Sequence, residues 1–340
     1  MAGQGAQYSY QVYPVASFRV ATGANEGDAI GLSKDVLQGD EYRLARQAST
    51  KTLALREGSK TSQKIATGSE VGYLGDNLSI DACHTVMAPD GTMVELLILT
   101  VWGDARPARY FMALGKLQSG IDYVLVSSEA DSAPQRFADI ACVSFIAGTR
   151  VTMSTGAQKP VEDLQEGDKI LTRDNGVQPV LWVGHQTIRA TGTFAPVRIS
   201  AGTLNVANDL ILMPNHRLFV WQRSDEIGAG RSEVMIKAIN LVNGDTVQQE
   251  EGGFFDTYNI LFDGHQIIYA EGVAVESLMV TGQTRAALPE ELRETAEDTD
   301  TSKSASLEFD APNRVNPEDD MAKALTRASK GATAKPRKKT

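Results

Sequence analysis

Between residues 142 and 284 the chain is broken about every dozen residues by turn signals: Ser154-Thr155-Gly156, Glu166-Gly167-Asp168, Asp174-Asn175-Gly176, Gly202-Thr203, Asn243-Gly244-Asp245 and Asp263-Gly264. Glycine supplies the positive φ that tight turns require, and Asn-Gly and Asp-Gly are the strongest hairpin signals. Runs of Val, Ile and Leu too short for helices lie between them. The spacing predicts a compact all-β domain of many short strands, with at most one helical turn at Val161–Leu164.

Residues 1–141 repeat the pattern less densely. β-favouring runs at Tyr8–Val20, Glu70–Leu74, Met93–Val101 and Tyr123–Ser127 alternate with turns, and Ala88-Pro89-Asp90-Gly91-Thr92 marks a hairpin. This half reads as a β-rich domain whose role the sequence leaves open. The segment from Ala105 to Leu117 fits a helix or an irregular connection equally well.

After residue 285 the composition changes. Residues 290–320 carry eleven acids against three bases, and 321–340 carry seven bases and no acid. With few aromatic or branched residues to bury, 285–340 is expected to be a disordered charged tail, with a short helix as an alternative at Leu288–Ala296.

Length, charge and rare residues narrow the function. At 340 residues the chain accommodates two domains, and a net charge of -10 argues against a nucleic-acid binder. Two distant cysteines and four histidines at no ligating spacing exclude a disulfide framework and leave no expected metal or cofactor. Cys83 and His84 read as ordinary packed or surface residues. No apolar window reaches the length of a membrane span, and the N-terminus lacks a signal-peptide pattern. The default expectation is a cytoplasmic protein, with signal-independent export left open.

The chemistry-bearing residues begin at Cys142-Val143-Ser144-Phe145-Ile146-Ala147-Gly148-Thr149, with isolated histidines following at Pro214-Asn215-His216 and Asp263-Gly264-His265. A hydroxyl or thiol at the first position of a domain has the preceding carbonyl covalently at hand.

Four blocks in order resemble Hint domains, the fold shared by Hedgehog autoprocessing domains, inteins and bacterial intein-like proteins. They are Ser144-Phe145-x-x-Gly148-Thr149; Pro160-Val161-Glu162-Asp163-Leu164 through Gly167-Asp168, with a strand at Lys169–Thr172; the run ending at His216; and Tyr258–Ser277, which contains His265 and Ala270-Glu271-Gly272. Bacterial Hint-containing proteins are the nearest likeness, through Thr172–Gly176, Ala195–Ile199 and Leu241–Gly244.

The resemblance implies an N-to-O acyl shift. Ser144 Oγ would attack the Val143 carbonyl, His216 would protonate the departing nitrogen, and His265 is the second acid–base candidate. The substrate is then the chain's own N-terminal segment, with an external nucleophile as a further acceptor. The sequence departs from the family at Met213, where many members have Thr or Ser; at Asn259, where several have Asp; and at Glu276-Ser277, where splicing members have His-Asn. Without His-Asn no succinimide forms, leaving hydrolysis or transfer in place of splicing. Cys142, two residues before the family position, leaves open a second register with cleavage at Ala141–Cys142. The alternative function is a degenerate Hint scaffold in a β-rich binding or surface-interaction protein.

Overall fold

The computed structural model describes residues 7–57, 63–103, 106–190, 192, 195–223, 225, 227–281, 284–296 and 321–330. They fall into two compact units. The first holds the described residues of 7–141 with 192 and 280–296; the second holds those of 142–190, 195–279 and 321–330.

The first unit is built on nine strands: β1 (Gln7–Pro14), β2 (Phe18–Thr22), β3 (Glu41–Leu44), β4 (Lys51–Glu57), β5 (Gln63–Ile65), β6 (Asn77–Met87), β7 (Met93–Trp102), β8 (Ala108–Ala113) and β9 (Asp122–Glu129). Their order is β2-β3-β9-β6-β5-β4-β1-β8-β7, and an additional β6–β7 pairing closes six of them into a ring. The expected hairpin is present: Met87 faces Met93, and Ala88 N–H donates to Thr92 O at 2.8 Å around Gly91 at φ 83°. Phe18, Tyr42, Phe111 and Tyr123 pack ring to ring in its core.

Two expectations change here. Glu70–Leu74 is turn, because Gly72 at φ 69° and Gly75 at φ 94° reverse the chain where a strand needs extended backbone. Within Ala105–Leu117, neither a helix nor irregular, Ala108–Ala113 pairs with β7 as a strand; Ala105 itself lies outside the described residues. A helix not anticipated, α1 (Ala133–Ala141), buries Ala133, Phe137, Ala138 and Ala141 along one stripe at helical spacing. Cys83 and His84 are both buried; His84 Nε2 lies 2.8 Å from Gly31 O, and burial pushes the Cys83 thiol up to about 12.

The second unit holds β10 (Phe145–Ile146), β11 (Arg150–Thr152), β12 (Gln158–Pro160), β13 (Lys169–Leu171), β14 (Val177–Pro179), β15 (Trp182–Arg189), β16 (Val197–Ile199), β17 (Leu210–Leu212), β18 (Arg217–Trp221), β19 (Glu233–Lys237), β20 (Val247–Gln249), β21 (Phe254–Leu261), β22 (Ile267–Ala270) and β23 (Val273–Glu276). One sheet runs β15-β21-β10-β17-β16-β20, another β12-β11-β22-β23-β18-β19, and β13 pairs with β14. Phe145, Val197, Leu212, Leu218, Ile236, Ile268 and Val275 belong to a single core fed by both larger sheets. Val161–Asp163 forms the expected helical turn, and Asp168 closes the next one by accepting from Gln165 N–H at 2.8 Å.

In the stretch expected as a disordered tail, the described residues include a helix at Glu290–Thr295 and another at Met321–Lys330; residues 297–320 and 331–340 lie outside the described residues. Ala322 and Leu325 of the second helix are buried in the second unit's core, and Thr326 Oγ1 accepts from Leu204 N–H at 2.9 Å. Among the described residues no helix is long and apolar enough to cross a membrane.

Candidate functional site

β10 is only two residues long, yet it lies between β17 and β21: Phe145 faces Leu212 on one side and Tyr258 on the other. The same registers, extended by one residue, set Ser144 beside Met213 and Asn259. Ser144 Oγ donates to Asn259 Oδ1, and Met213 N–H reaches Ser144 O at 3.5 Å. The turn after β10 needs Gly148, whose φ of 88° lets Thr149 N–H close onto Ile146 O at 3.1 Å. Ser144 is 1% exposed.

His216 stands at the turn joining β17 to β18, its N–H donating to Met213 O at 2.9 Å. The ring is fully buried and meets Phe145 edge to face at 4.7 Å. Nδ1 lies 3.2 Å from Ser144 O and Nε2 lies 2.9 Å from Glu276 O. A neutral imidazole donates from one nitrogen only, so the shorter contact assigns the proton to Nε2 and leaves a lone pair at Nδ1. Burial pushes the imidazole below its ordinary pKa, overriding the upward pull of Glu276 and of the two carbonyls.

Glu276 ends β23 and is the hub of the site. Its carboxylate accepts from Arg217 N–H at 2.9 Å and from Arg217 Nη1 at 3.3 Å, both side chains being almost wholly inaccessible. His265 Nε2 lies 3.7 Å away. Burial works against the charge of Glu276; Arg217, then His265 and His216, outweigh it and hold the carboxyl below its ordinary range. Ser277 is spent locally, its Oγ accepting from Gln266 N–H at 2.9 Å.

The structure therefore brings Ser144 and His216 together directly, and places His265 beside Glu276, which in turn meets His216. Cys142 is a fully buried thiol outside any disulfide, two residues upstream. The ring nitrogens of His216 meet Ser144 and Glu276, and the Nδ1 contact falls on the carbonyl oxygen of Ser144 itself, one peptide beyond Val143–Ser144. Asn259, read from the sequence only as a departure from the family, is the acceptor for the serine hydroxyl. The Arg217–Glu276 pair is missed by sequence reasoning, whose only signal for it is a lone Arg and a lone Glu bordering apolar strand runs. The fourth histidine, His185, sits apart on β15, half exposed, 3.4 Å from Asp256. Among the described residues no group of three His, Cys, Asp or Glu side chains is arranged to hold a metal ion.

Residues 143–282 match the family model described as the Hint domain. Among solved structures, the gp41-1 intein crystal structure is similar over 39% of this chain and 97% of that chain, at 12% identity and a TM-score of 0.25. None of the curated proteins matches. With the four sequence blocks, the all-β architecture and the family match falling on the same residues, this is a Hint-domain protein, the domain spanning residues 143–282.

Proposed function

We propose that the chain processes itself: Ser144 attacks the Val143–Ser144 peptide bond, and the N-terminal segment leaves by hydrolysis or by transfer to an external nucleophile. The observation that carries this reading is the convergence of Asn259 and His216 on one serine at the start of the domain. These residues lie far apart in sequence, and a hydroxyl donor, its acceptor and a basic ring nitrogen are the parts an acyl shift needs.

The step is an isomerisation. Oγ adds to the Val143 carbonyl carbon, the bond from that carbon to the Ser144 nitrogen breaks, and the proton lost by Oγ ends on the nitrogen. An amide becomes an ester and a free amine with no co-reactant. Asn259 orients the hydroxyl, but its amide oxygen is too weak a base to take the proton. His216 Nδ1 carries the lone pair on the serine side and is the group that accepts the proton and returns it to the nitrogen. The ester then takes water or another nucleophile at Val143, freeing the Ser144 hydroxyl. Glu276-Ser277 offers no asparagine to cyclise, and both side chains are engaged elsewhere, Glu276 with Arg217 and Ser277 with Gln266 N–H. His265 acts at one remove, through the charge of Glu276.

A specific observation favours a second reading, a catalytically degenerate scaffold within a β-rich binding protein: Ser144 and His216 are both buried with their polar atoms already engaged. Hydroxylamine separates the two readings, because it cleaves an ester and spares an amide. Electrophoresis of the purified chain after hours with hydroxylamine is expected to show two fragments; a chain that stays whole favours the scaffold.

A further inference from the structure

The first unit contains a cavity of about 320 Å³ that self-processing does not use. Arg19, Arg43 and Arg46 line it together with Ser17, and Ala21 and Ala45 form a small apolar wall, while Val20 and Leu44 turn their side chains into the core. No carboxylate-bearing residue belongs to the lining, in a chain whose net charge is -10. Arg19 and Arg43 are direct cross-strand partners on β2 and β3, an arrangement in which like charges repel.

Asp122 orients Arg43 and offsets its charge, while Arg19 and Arg46 keep theirs. Arg43 is gripped from the side by Asp122, through Nε and Nη2 at 2.6 Å each, and its Nη1 is outside that pair. Arg19 donates from Nε to Ala16 O at 3.1 Å and from Nη1 to Gly27 O at 2.8 Å, contacts with neutral carbonyls that fix the fork and leave its charge uncancelled. Arg46 makes no hydrogen bond or ion pair among the described residues. Guanidinium forks held in place at a concave, partly apolar site are suited to bidentate recognition of oxyanions.

We propose that this cavity binds a small organic oxyanion, a phosphate or carboxylate group on an apolar body about the size of one ring. The arginines take the oxygens, and the methyl groups of Ala21 and Ala45 contact the body. The volume lies near the lower end of the range for small-molecule sites, about 300–1,000 Å³.

Titration calorimetry on the full chain at low salt tests this with phenyl phosphate, benzoate and neutral benzyl alcohol. A saturating isotherm is expected for at least one of the two anions and none for benzyl alcohol. Binding of phenyl phosphate alone identifies a phosphate site, and binding of benzoate alone a carboxylate site. Arg46→Gln, on an exposed side chain, is expected to weaken binding at least about tenfold with an unchanged melting temperature, and Arg19→Gln similarly. Absence of saturation by either anion up to ~10 mM, equal binding of benzyl alcohol, or unaltered affinity in Arg46→Gln overturns the proposal.

Discussion

Ser144 has one hydroxyl proton, and it points at Asn259 Oδ1. Truncation in Asn259→Ala leaves a buried hydroxyl without its acceptor, at a cost of about 1–3 kcal/mol, and frees it to rotate away from attack geometry. Self-cleavage is expected to slow markedly. Asn259→Asp supplies a carboxylate able to take the proton and is expected to accelerate cleavage; band densitometry over time checks both, and equal rates in all three proteins would count against an orienting role. Arg217 and Glu276 give a second prediction at this scale. Arg217→Met strands a buried carboxylate and should destabilise the second unit by about 3–5 kcal/mol, whereas the double change with Glu276→Met should recover most of that loss. Denaturant midpoints of the single and double variants provide the comparison.

Among the elements, the hairpin joining β22 to β23 bears most on the site, because it delivers Glu276 to His216. Its turn places Glu271 at φ 47° and Gly272 at φ 83°, a left-handed pair in which a non-glycine residue is costly. The chain offsets that cost through the Glu271 carboxylate, which accepts from Arg150 N–H at 2.7 Å and from Asn208 Nδ2 at 2.7 Å. Both Glu271→Ala and Glu271→Gly forfeit these bonds, but glycine alone sheds the strain. Urea unfolding should therefore show the alanine variant to be the less stable by about 1 kcal/mol; the reverse order would mean that the turn is unstrained.

Legibility from sequence follows the same physics. Turns closed by local chemistry could be read, as at Asp90-Gly91 and Gln165–Asp168, and so could the start of the domain at Ser144-Phe145. Glu70–Leu74 misled because β-favouring side chains flank a glycine whose positive φ is visible only in the fold. Helix α1 left a fainter trace, Pro134 in its first turn and an apolar stripe through Phe137. The Ser144–Asn259 bond spans 115 residues and depends on the register of β10 against β21, which no local pattern specifies.

Over the whole molecule, each unit buries a histidine, His84 in the first and His216 in the second, and burial depresses both pKa values below 6.5. Unfolded, these imidazoles take up protons near that pH; folded, they resist until lower pH. The unfolded chain thus binds more protons as pH falls below about 6.5, and stability declines with it. Calorimetric melting at pH 7.5 and 5.0 should show lower transition temperatures at pH 5.0, with part of the drop removed in His216→Gln. The same neutral His216 sets the pH dependence of self-cleavage: the rate should be level from pH 7 to 8 and fall only in acid, as Nδ1 becomes protonated.

Intact-mass spectrometry after incubation with hydroxylamine tests the central claim most directly, run on the wild type alongside Ser144→Ala and Cys142→Ala. The wild type and Cys142→Ala should each yield an N-terminal fragment ending at Val143, and Ser144→Ala should yield none. A wild-type chain that remains a single intact species, or a fragment ending at Ala141 that disappears in Cys142→Ala, would contradict attack by Ser144.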